Sequence, residues 1–425
     1  MIPMETDKKA YTLIIAVSIL FICAVPLSMK LLDNDVFYHL LIAKQMIESG
    51  QPYFFNQPYF NHPQGILHYY PPLFHWILAL TSLIVGLENA PLIWKPLFYP
   101  LAVFSFYHLV SKSFDKKTAY YSLIVLSTVF PFLARTHMAI PEALQYILIP
   151  LIFYAYLENK EKTCGLLLLM ALINHLYDSL LIALVILAHA RFNRNKGYAI
   201  HRTLLIALPG LIIQLYGITG HMMVYSPPID LWFLNQKINL ALSGTSMLLL
   251  LGLYYATRQL NNPKNTIYLL WIISSIPVLF ILPGRFPAYA AMPLSVIGAI
   301  SLMDLRKNIS DKKIYLLVVF LLLVLNLLFS TLFYPHIYDY MKPGIDEQEE
   351  KALNWIKQNI TLDEVVSVGS AGRYYEGYKI AYYSGHKTTD SWNKSRYLYA
   401  LYDVDDSGWN LSAQYGRYRI YERTI

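Results

Sequence analysis

The sequence predicts an α-helical polytopic membrane protein with about eleven transmembrane helices, further helices on the outer surface, and a small C-terminal α/β outer domain. Three observations predict it. Of 425 residues, 56% are hydrophobic and only 14% charged, with a mean hydropathy of +0.38, where a soluble protein carries about a quarter charged residues. Many apolar runs approach the ~20 residues that cross a bilayer. After Tyr334 the composition turns abruptly polar and mixed in charge. The expected division is a transmembrane domain over 1–334 and an extracytoplasmic α/β domain over 335–425.

Lys8 and Lys9 precede the first apolar run, Tyr11 to Leu31, and place the N-terminus in the cytoplasm. That run is too long for a signal-peptide core and has no small-residue cleavage site, so it reads as a membrane helix. It delivers Asp33 and Asp35 to the outer face. Val36, Leu40, Ala43 and Ile47 then recur at helical spacing as far as Gly50, which predicts an amphipathic helix lying on the membrane surface. The run 72–87 is read as a surface or re-entrant helix, because every later basic loop then falls inside. Spans follow at 93–111, 118–134 and 142–158. The tract 164–190 is interrupted by Asn174-His175-Leu176-Tyr177-Asp178 and splits into two short helices hinged there. Further spans at 203–219, 239–257, 266–282, 286–303 and 314–333 leave the C-terminus outside. Beyond them, Asp346 to Asn359 reads as a helix, and Val365–Val368 and Lys379–Tyr383 read as strands.

The net charge of +7 is not a nucleic-acid signature, since the basic residues cluster in short loops between helices. The two cysteines, Cys23 and Cys164, lie inside hydrophobic helices and build no disulfide framework. The 36 tyrosines suit interfacial anchoring, with the ring buried and the hydroxyl wet.

Several polar residues are expected together at the outer face. They are Asp33 and Asp35, Arg135 and Glu142, His175 and Asp178, His221, Asp230 and Lys237, and Arg285. Carboxylates and arginines in such company suit an anionic lipid phosphate held by Arg and a divalent cation such as Mg2+ or Mn2+. A carboxylate is also the natural general base for a hydroxyl acceptor, and a metal or Arg offsets charge on a departing phosphate. Each residue has a plainer explanation. An Asp pair at a helix end is often only solvated, Glu142 after Pro141 is favoured by the helix dipole, and arginines snorkel to headgroups. His175 and Asp178 suit a hydrogen-bonded hinge. His62, His68 and His75 lack zinc-ligand spacing. Their joint occurrence is what points to chemistry.

The run Asp33-Asn34-Asp35-Val36-Phe37-Tyr38-His39, followed by Gly50, His62-Pro63-Gln64-Gly65 and Tyr70-Pro71-Pro72-Leu73, resembles the first outer loop of GT-C glycosyltransferases. The nearest look-alike is the catalytic subunit of oligosaccharyltransferase, and the protein mannosyltransferase-like and aminoarabinose transferase-like enzymes share the plan. Arg135-Thr136 through Glu142 resembles the second outer motif, and Gly284-Arg285-Phe286 looks like the late basic motif. Ala352-Leu353-Asn354-Trp355-Ile356 resembles the helix that often opens the outer domain. The resemblance implies a GT-C-like catalytic domain with Asp35 as the catalytic carboxylate and Asp33 as a metal or acceptor-orienting partner. It implies Glu142 as a second acidic site residue, with Asp35 and Glu142 as candidate metal ligands. Arg285 and Arg135 would hold the lipid phosphate, and His39, Tyr70, His175 and Asp178 are candidates to line the pocket.

The oligosaccharyltransferase signature Trp-Trp-Asp-Tyr-Gly is absent, and only isolated tryptophans such as Trp355, Trp392 and Trp409 occur outside. The expected activity is therefore inverting sugar transfer from a polyprenyl-(pyro)phosphate donor to a glycan, lipid or protein acceptor, at the outer face of a prokaryotic plasma membrane. Transfer of a lipid-linked oligosaccharide to protein is the alternative within the class. A polyprenyl-lipid or ion transporter is the alternative from another class, and it would carry its charges near the midplane rather than at one face.

Overall fold

The computed structural model describes residues 8–9, 11–17, 34–52, 56–60, 63, 65–68, 70–175, 178–192, 200–224, 263–281, 285–332, 345–369, 373–389, 395–401 and 408–423. These are mostly helical, with a two-stranded ribbon and a five-stranded sheet. They fall into two compact units, the first drawn from 1–26, 94–215 and 227–341, the second from 27–93, 216–226 and 342–425.

The second unit opens with α1 (Asn34–Ser49), which carries Asp35 in its first turn, where the helix dipole favours a carboxylate. It is not the amphipathic helix that the spacing predicted. Val36 through Ala43 are all buried. Apolar side chains occupy every side of this stretch, and a helix hydrophobic all round is an interior helix. β1 (Asn56–Gln57) and β2 (Ile66–Leu67) form an antiparallel ribbon. α2 (Leu73–Val85) has 13 residues, short of the ~20 of a full span. It packs on α1 and turns Leu80, Leu83 and Ile84 outward.

The bundle follows. α3 (Ala90–Ser113) buries Tyr99, Ala102, Val103, Phe106 and Val110 and exposes Leu97, Leu101 and Phe104. Two apolar faces, one packed and one bare, are the pattern of a helix set between protein and lipid. α4 (Lys116–Leu126) starts at an Asp115 cap that accepts from the Thr118 amide at 2.7 Å. α4 and α5 (Phe130–Thr136) meet at an 88° bend, where a single span over 118–134 was expected. Ser127 and Thr128 donate their hydroxyls to the carbonyls of Ile124 and Val125, and Pro131 has no amide to continue the ladder.

α6 (Pro141–Leu157), α7 (Glu161–Leu172) and α8 (Asp178–Phe192) come next, with the expected break between the last two. The remaining bundle helices are α9 (Ile200–Val224), α10 (Pro263–Ile281), α11 (Phe286–Asn308) and α12 (Lys312–Leu332). Among the described residues, two stretches are long and apolar enough to cross a membrane, Ile200–Gly217 and Phe286–Asn308, or three if the bent pair is one span. The expected span at 239–257 and most of that at 11–31 lie outside the described residues. α11 is the buried centre, packed on α4, α5, α10 and α12. α9 exposes Leu205, Leu208, Ile212 and Leu215 along one stripe. Its other side meets α7 at glycines. A Cβ added at Gly165 would lie 2.9 Å from the Ile206 Cβ, and one at Gly210 would lie 2.7 Å from the Leu172 Cβ.

The C-terminal part of the second unit holds α13 (Glu347–Asn359), β3 (Val365–Val368), α14 (Arg373–Ser384), β4 (Lys387–Thr389), β5 (Tyr397–Ala400), β6 (Trp409–Tyr415) and β7 (Tyr418–Arg423). The sheet order is β4-β3-β5-β7-β6, parallel across β4, β3 and β5 and antiparallel beyond. Asp346 caps α13 by accepting from the Glu349 amide at 2.8 Å. Lys379–Tyr383, expected as a strand, lies in α14. Gly377, Ile380, Ala381 and Ser384 are buried at helical spacing, and a short apolar run does not by itself separate strand from helix. Lys379 bonds both oxygens of Glu349 at 2.9 Å and joins α14 to α13. Burial pushes the Glu349 carboxyl up, against the pull of Lys379.

The segment between α1 and α2 belongs to this same unit. The Thr388 amide donates to the Tyr59 carbonyl at 2.7 Å, Phe60 meets Tyr378 ring to ring at 5.0 Å, and Phe37 packs on Tyr382 and Tyr383. α1 thus lies between α2 and α14.

Replacing Gly210 with Val should force α7 and α9 apart. The expected loss is about 1–3 kcal/mol of stability, read as a lower thermal midpoint of the detergent-solubilised protein; an unchanged midpoint would contradict the close approach.

Candidate active site

In the first unit, five helix ends bring polar groups together inside an apolar bundle. α5 carries Arg135 in its last turn, and α6 begins at Pro141 with Glu142 next. His175 lies in the break after α7, Asp178 opens α8, and Arg285 is the residue before α11 with Tyr289 in its first turn. Helix ends are where this can happen, because an interior polar group would have to be inserted through the apolar wall.

The pairing is dense. Glu142 is 2% exposed. Its Oε2 accepts from the Arg135 guanidinium at 2.6 Å, and its Oε1 pairs with Arg285 and stands 3.5 Å from His175 Nε2. His175 Nδ1 lies 2.6 Å from Asp178 Oδ2, and Tyr289 donates its hydroxyl to that same oxygen. Asn174 donates to the Pro141 carbonyl at 2.7 Å and to Gln145 Oε1 at 3.0 Å, which ties the break to the start of α6. Gln214 donates to the Leu172 and His175 carbonyls, each at 2.6 Å. The side chain of Arg285 keeps 24% exposure against 9% for Arg135. Arg285 is therefore the arm that can reach a ligand, while Arg135 anchors Glu142.

The second unit holds a different cluster, under the start of α1. Tyr38 and His39 are one turn beyond Asp35. The Tyr38 hydroxyl lies 2.5 Å from His68 Nδ1, and His39 Nδ1 lies 2.9 Å from His75 Nε2. His39, His68 and His75 are all buried. Tyr70 packs edge-on to His39 at 5.4 Å, and Tyr378 lies 5.0 Å from Tyr38. Burial pushes His75 down to about 3, against a backbone contact with Pro71, and pushes His68 well below its ordinary value, helped by His75. These are neutral imidazoles. Asp35 itself is partly buried.

Of the residues expected from the sequence, the first unit gathers Arg135, Glu142, His175, Asp178 and Arg285 in one cluster. The second holds Asp35, His39 and Tyr70. Asp33, Asp230 and Lys237 lie outside the described residues. Sequence reading missed Tyr289, which reaches Asp178 across 111 positions, and it set aside His68 and His75 because it sought metal spacing. The repeated aromatic-imidazole composition of 68–75 was the available signal.

The expectation of Mg2+ or Mn2+ meets this arrangement at Glu142. Its two oxygens face the guanidinium groups of Arg135 and Arg285, whose charge repels a divalent cation. Among the described residues, no group of three or more His, Cys, Asp or Glu is arranged to hold a metal ion. The first-unit cluster, as arranged, fits an anion at Arg285 and not a metal at Glu142.

No family model matches the chain, and no curated protein matches it. Solved structures do. The Archaeoglobus fulgidus oligosaccharyltransferase in complex with Zn and sulfate superposes with a TM-score of 0.68 at 14% identity, over 92% of this chain and 67% of that one. The archaeal oligosaccharyltransferase AglB from the same organism, in complex with an inhibitory peptide and a dolichol-phosphate, gives 0.67 at 13%, over 92% and 69%. ArnT from Cupriavidus metallidurans, bound to undecaprenyl phosphate, gives 0.63 at 12% identity, over 96% of this chain and 97% of that one.

The chain has the fold of the GT-C glycosyltransferases. It spans about two thirds of the length of the oligosaccharyltransferases and nearly the whole of ArnT. In this chain, the bend before α5, the break before α8 and the turn before α11 are the local irregularities that supply the buried cluster.

Two outcomes are expected. Glu142→Ala leaves the buried Arg135 and the part-exposed Arg285 without their shared carboxylate and should cost on the order of 3 kcal/mol, measured as a fall in thermal midpoint; a wild-type midpoint would deny the coupling. The second concerns acid. His68 and His75 sit below their unfolded value of 6.5. Above that pH both states are neutral and stability is complete. Below it, the unfolded chain binds protons that the folded unit does not. The second unit should therefore lose stability from about pH 6.5 down towards about 3, and His75→Gln should flatten that slope in near-ultraviolet circular dichroism melts.

Proposed function

We propose that the protein is an integral membrane glycosyltransferase that moves a sugar from a polyprenyl-phosphate or polyprenyl-pyrophosphate carrier to a hydroxyl acceptor at the outer membrane face. The observation that carries this reading is the buried Arg135–Glu142–Arg285 arrangement, with one arginine tethered and one part-exposed, on a GT-C fold. The solved neighbours include one bound to undecaprenyl phosphate and one bound to a dolichol-phosphate. Both ligands are phosphates on a polyprenyl chain, the chemistry that a partly exposed guanidinium beside apolar helices suits.

In this reading the acceptor oxygen attacks the anomeric carbon from the face opposite the phosphate, and the configuration inverts. The glycosidic C–O bond breaks, and the phosphate leaves with its electron pair. Asp35 orients the acceptor and takes its proton, with Asp33 as its partner. Arg285, and Arg135 behind it, offset the charge that develops on the leaving phosphate. Glu142 holds the two arginines, His175 and Asp178 support Glu142, and His39 and Tyr70 back the start of α1. The domains would be a GT-C-like catalytic region over 1–334 and an extracytoplasmic region over 335–425, in the plasma membrane of a prokaryote. The acceptor is a glycan, a lipid or a protein. The superposition on oligosaccharyltransferase favours the protein acceptor as a second reading, while the missing Trp-Trp-Asp-Tyr-Gly run speaks against it.

Asp35→Asn should abolish release of sugar from a polyprenyl-phosphate donor supplied in detergent with a membrane extract as acceptor source, while expression and size-exclusion behaviour stay normal. Wild-type activity in that variant would sink the assignment.

A further inference from the structure

The cluster beneath α1 has a geometry that packing alone does not require. Around the start of α1 the apolar residues Val36, Phe37, Leu40, Leu41, Ile42 and Ala43 are buried on all sides. Such a helix gains nearly the same burial at many rotations about its axis, so hydrophobic contact sets its depth but not its azimuth. Directional bonds must set the azimuth. Two are present, on adjacent residues about 100° apart around the helix. The Tyr38 hydroxyl meets His68 Nδ1 at 2.5 Å, and His39 Nδ1 meets His75 Nε2 at 2.9 Å. The anchors come from different elements, His75 from the first turns of α2 and His68 from the residue after β2. His68 and His75 are each 0% exposed, so water does not compete for either bond.

Asp35 precedes Tyr38 by three residues and His39 by four, which places it on the same side of α1, one turn earlier. We propose that His68 and His75 are positioning residues that fix the rotation of α1 and thereby the place of the Asp35 carboxylate. The inference rests on the role given to Asp35 above. A rotation of about 20° at a side-chain radius of about 6 Å moves that carboxylate by about 2 Å. A misplacement of about 1 Å can cost about 100-fold in rate.

The ring states agree with a fixed pin. Of His39 Nδ1 and His75 Nε2, one donates and the other accepts. The bond needs no charge, and burial holds His75 neutral.

The test uses the full-length protein in detergent, with Cys23→Ala and Cys164→Ala removing the native thiols and Asp35→Cys placing a reporter. The alkylation rate of that thiol by a maleimide is compared in three further backgrounds. Tyr38→Phe removes one bond and leaves the packing. His75→Phe removes the other and keeps the ring. His75→Gln restores an amide that can accept through its oxygen or donate through its nitrogen where Nε2 stood. Tyr38→Phe and His75→Phe should each raise the rate by about threefold or more through greater exposure of the thiol, and His75→Gln should return it to the parent value. Unchanged rates in Tyr38→Phe and His75→Phe would overturn the proposal, and so would an effect that His75→Gln does not reverse. If His75→Phe fails to fold, Tyr38→Phe decides alone. This readout needs no activity, so it stands even if the chain transfers no sugar. Where transfer is measured with Asp35 intact, the same two variants should lower kcat by about 10- to 100-fold with KM little changed, and His75→Gln should recover it.

Discussion

A carboxylate that is 2% exposed, Glu142, stands between two guanidinium groups in a bundle of apolar helices. None of these charges could be buried alone. Removing a charge from water costs several kcal/mol after relaxation, and only a close, well-aligned partner offsets it. The architecture of the bundle follows from that requirement. α5 bends away from α4, α7 stops short of α8, and α11 begins at Arg285, because each irregularity brings a helix end and its polar residues inward. The break at 173–177 and the bend at 127–129 are parts of the site as much as of the scaffold.

The two units solve the same problem in different ways. The first offsets full charges with opposite charges. The second buries groups that can stay neutral, three histidines with tyrosines around them, and arranges them as donor and acceptor pairs. The difference suits their roles in the proposed reaction. A group that meets a phosphate must be charged. A group that only holds a helix in place serves better without charge, since salt does not screen its bond.

Much of this was legible in the chain. Arg135, Glu142 and Arg285 stand out in the sequence because residues this polar are costly next to apolar runs, and the structure gathers the three of them in one cluster. The interruption at Asn174–Asp178 marked the break between α7 and α8. What stayed hidden involved distance or context. Tyr289 finds Asp178 over 111 positions, and no local pattern announces that. Lys379–Tyr383 has the composition of a strand, yet its burial follows α14, because the face it presents is set by α13, the sheet and α1. α1 read as amphipathic because the matching positions were counted and the apolar residues on its other sides were not. The C-terminal elements that cover those other sides are far away in sequence.

That distance has a further consequence. The Thr388 hydroxyl and the Tyr59 carbonyl that it meets are 329 positions apart. Synthesis runs from the N-terminus, so α1 emerges with most of its cover, α14 above all, still unmade. Throughout the insertion of the bundle, an apolar helix bearing the proposed catalytic carboxylate waits without its partner. Closing so long a loop is slow, and surface left bare meanwhile invites wrong association. The last quarter of the chain is therefore a clasp as well as a domain. Until it arrives, α1 stands without α14, and a ribosome that stops early releases a helical bundle with that helix uncovered.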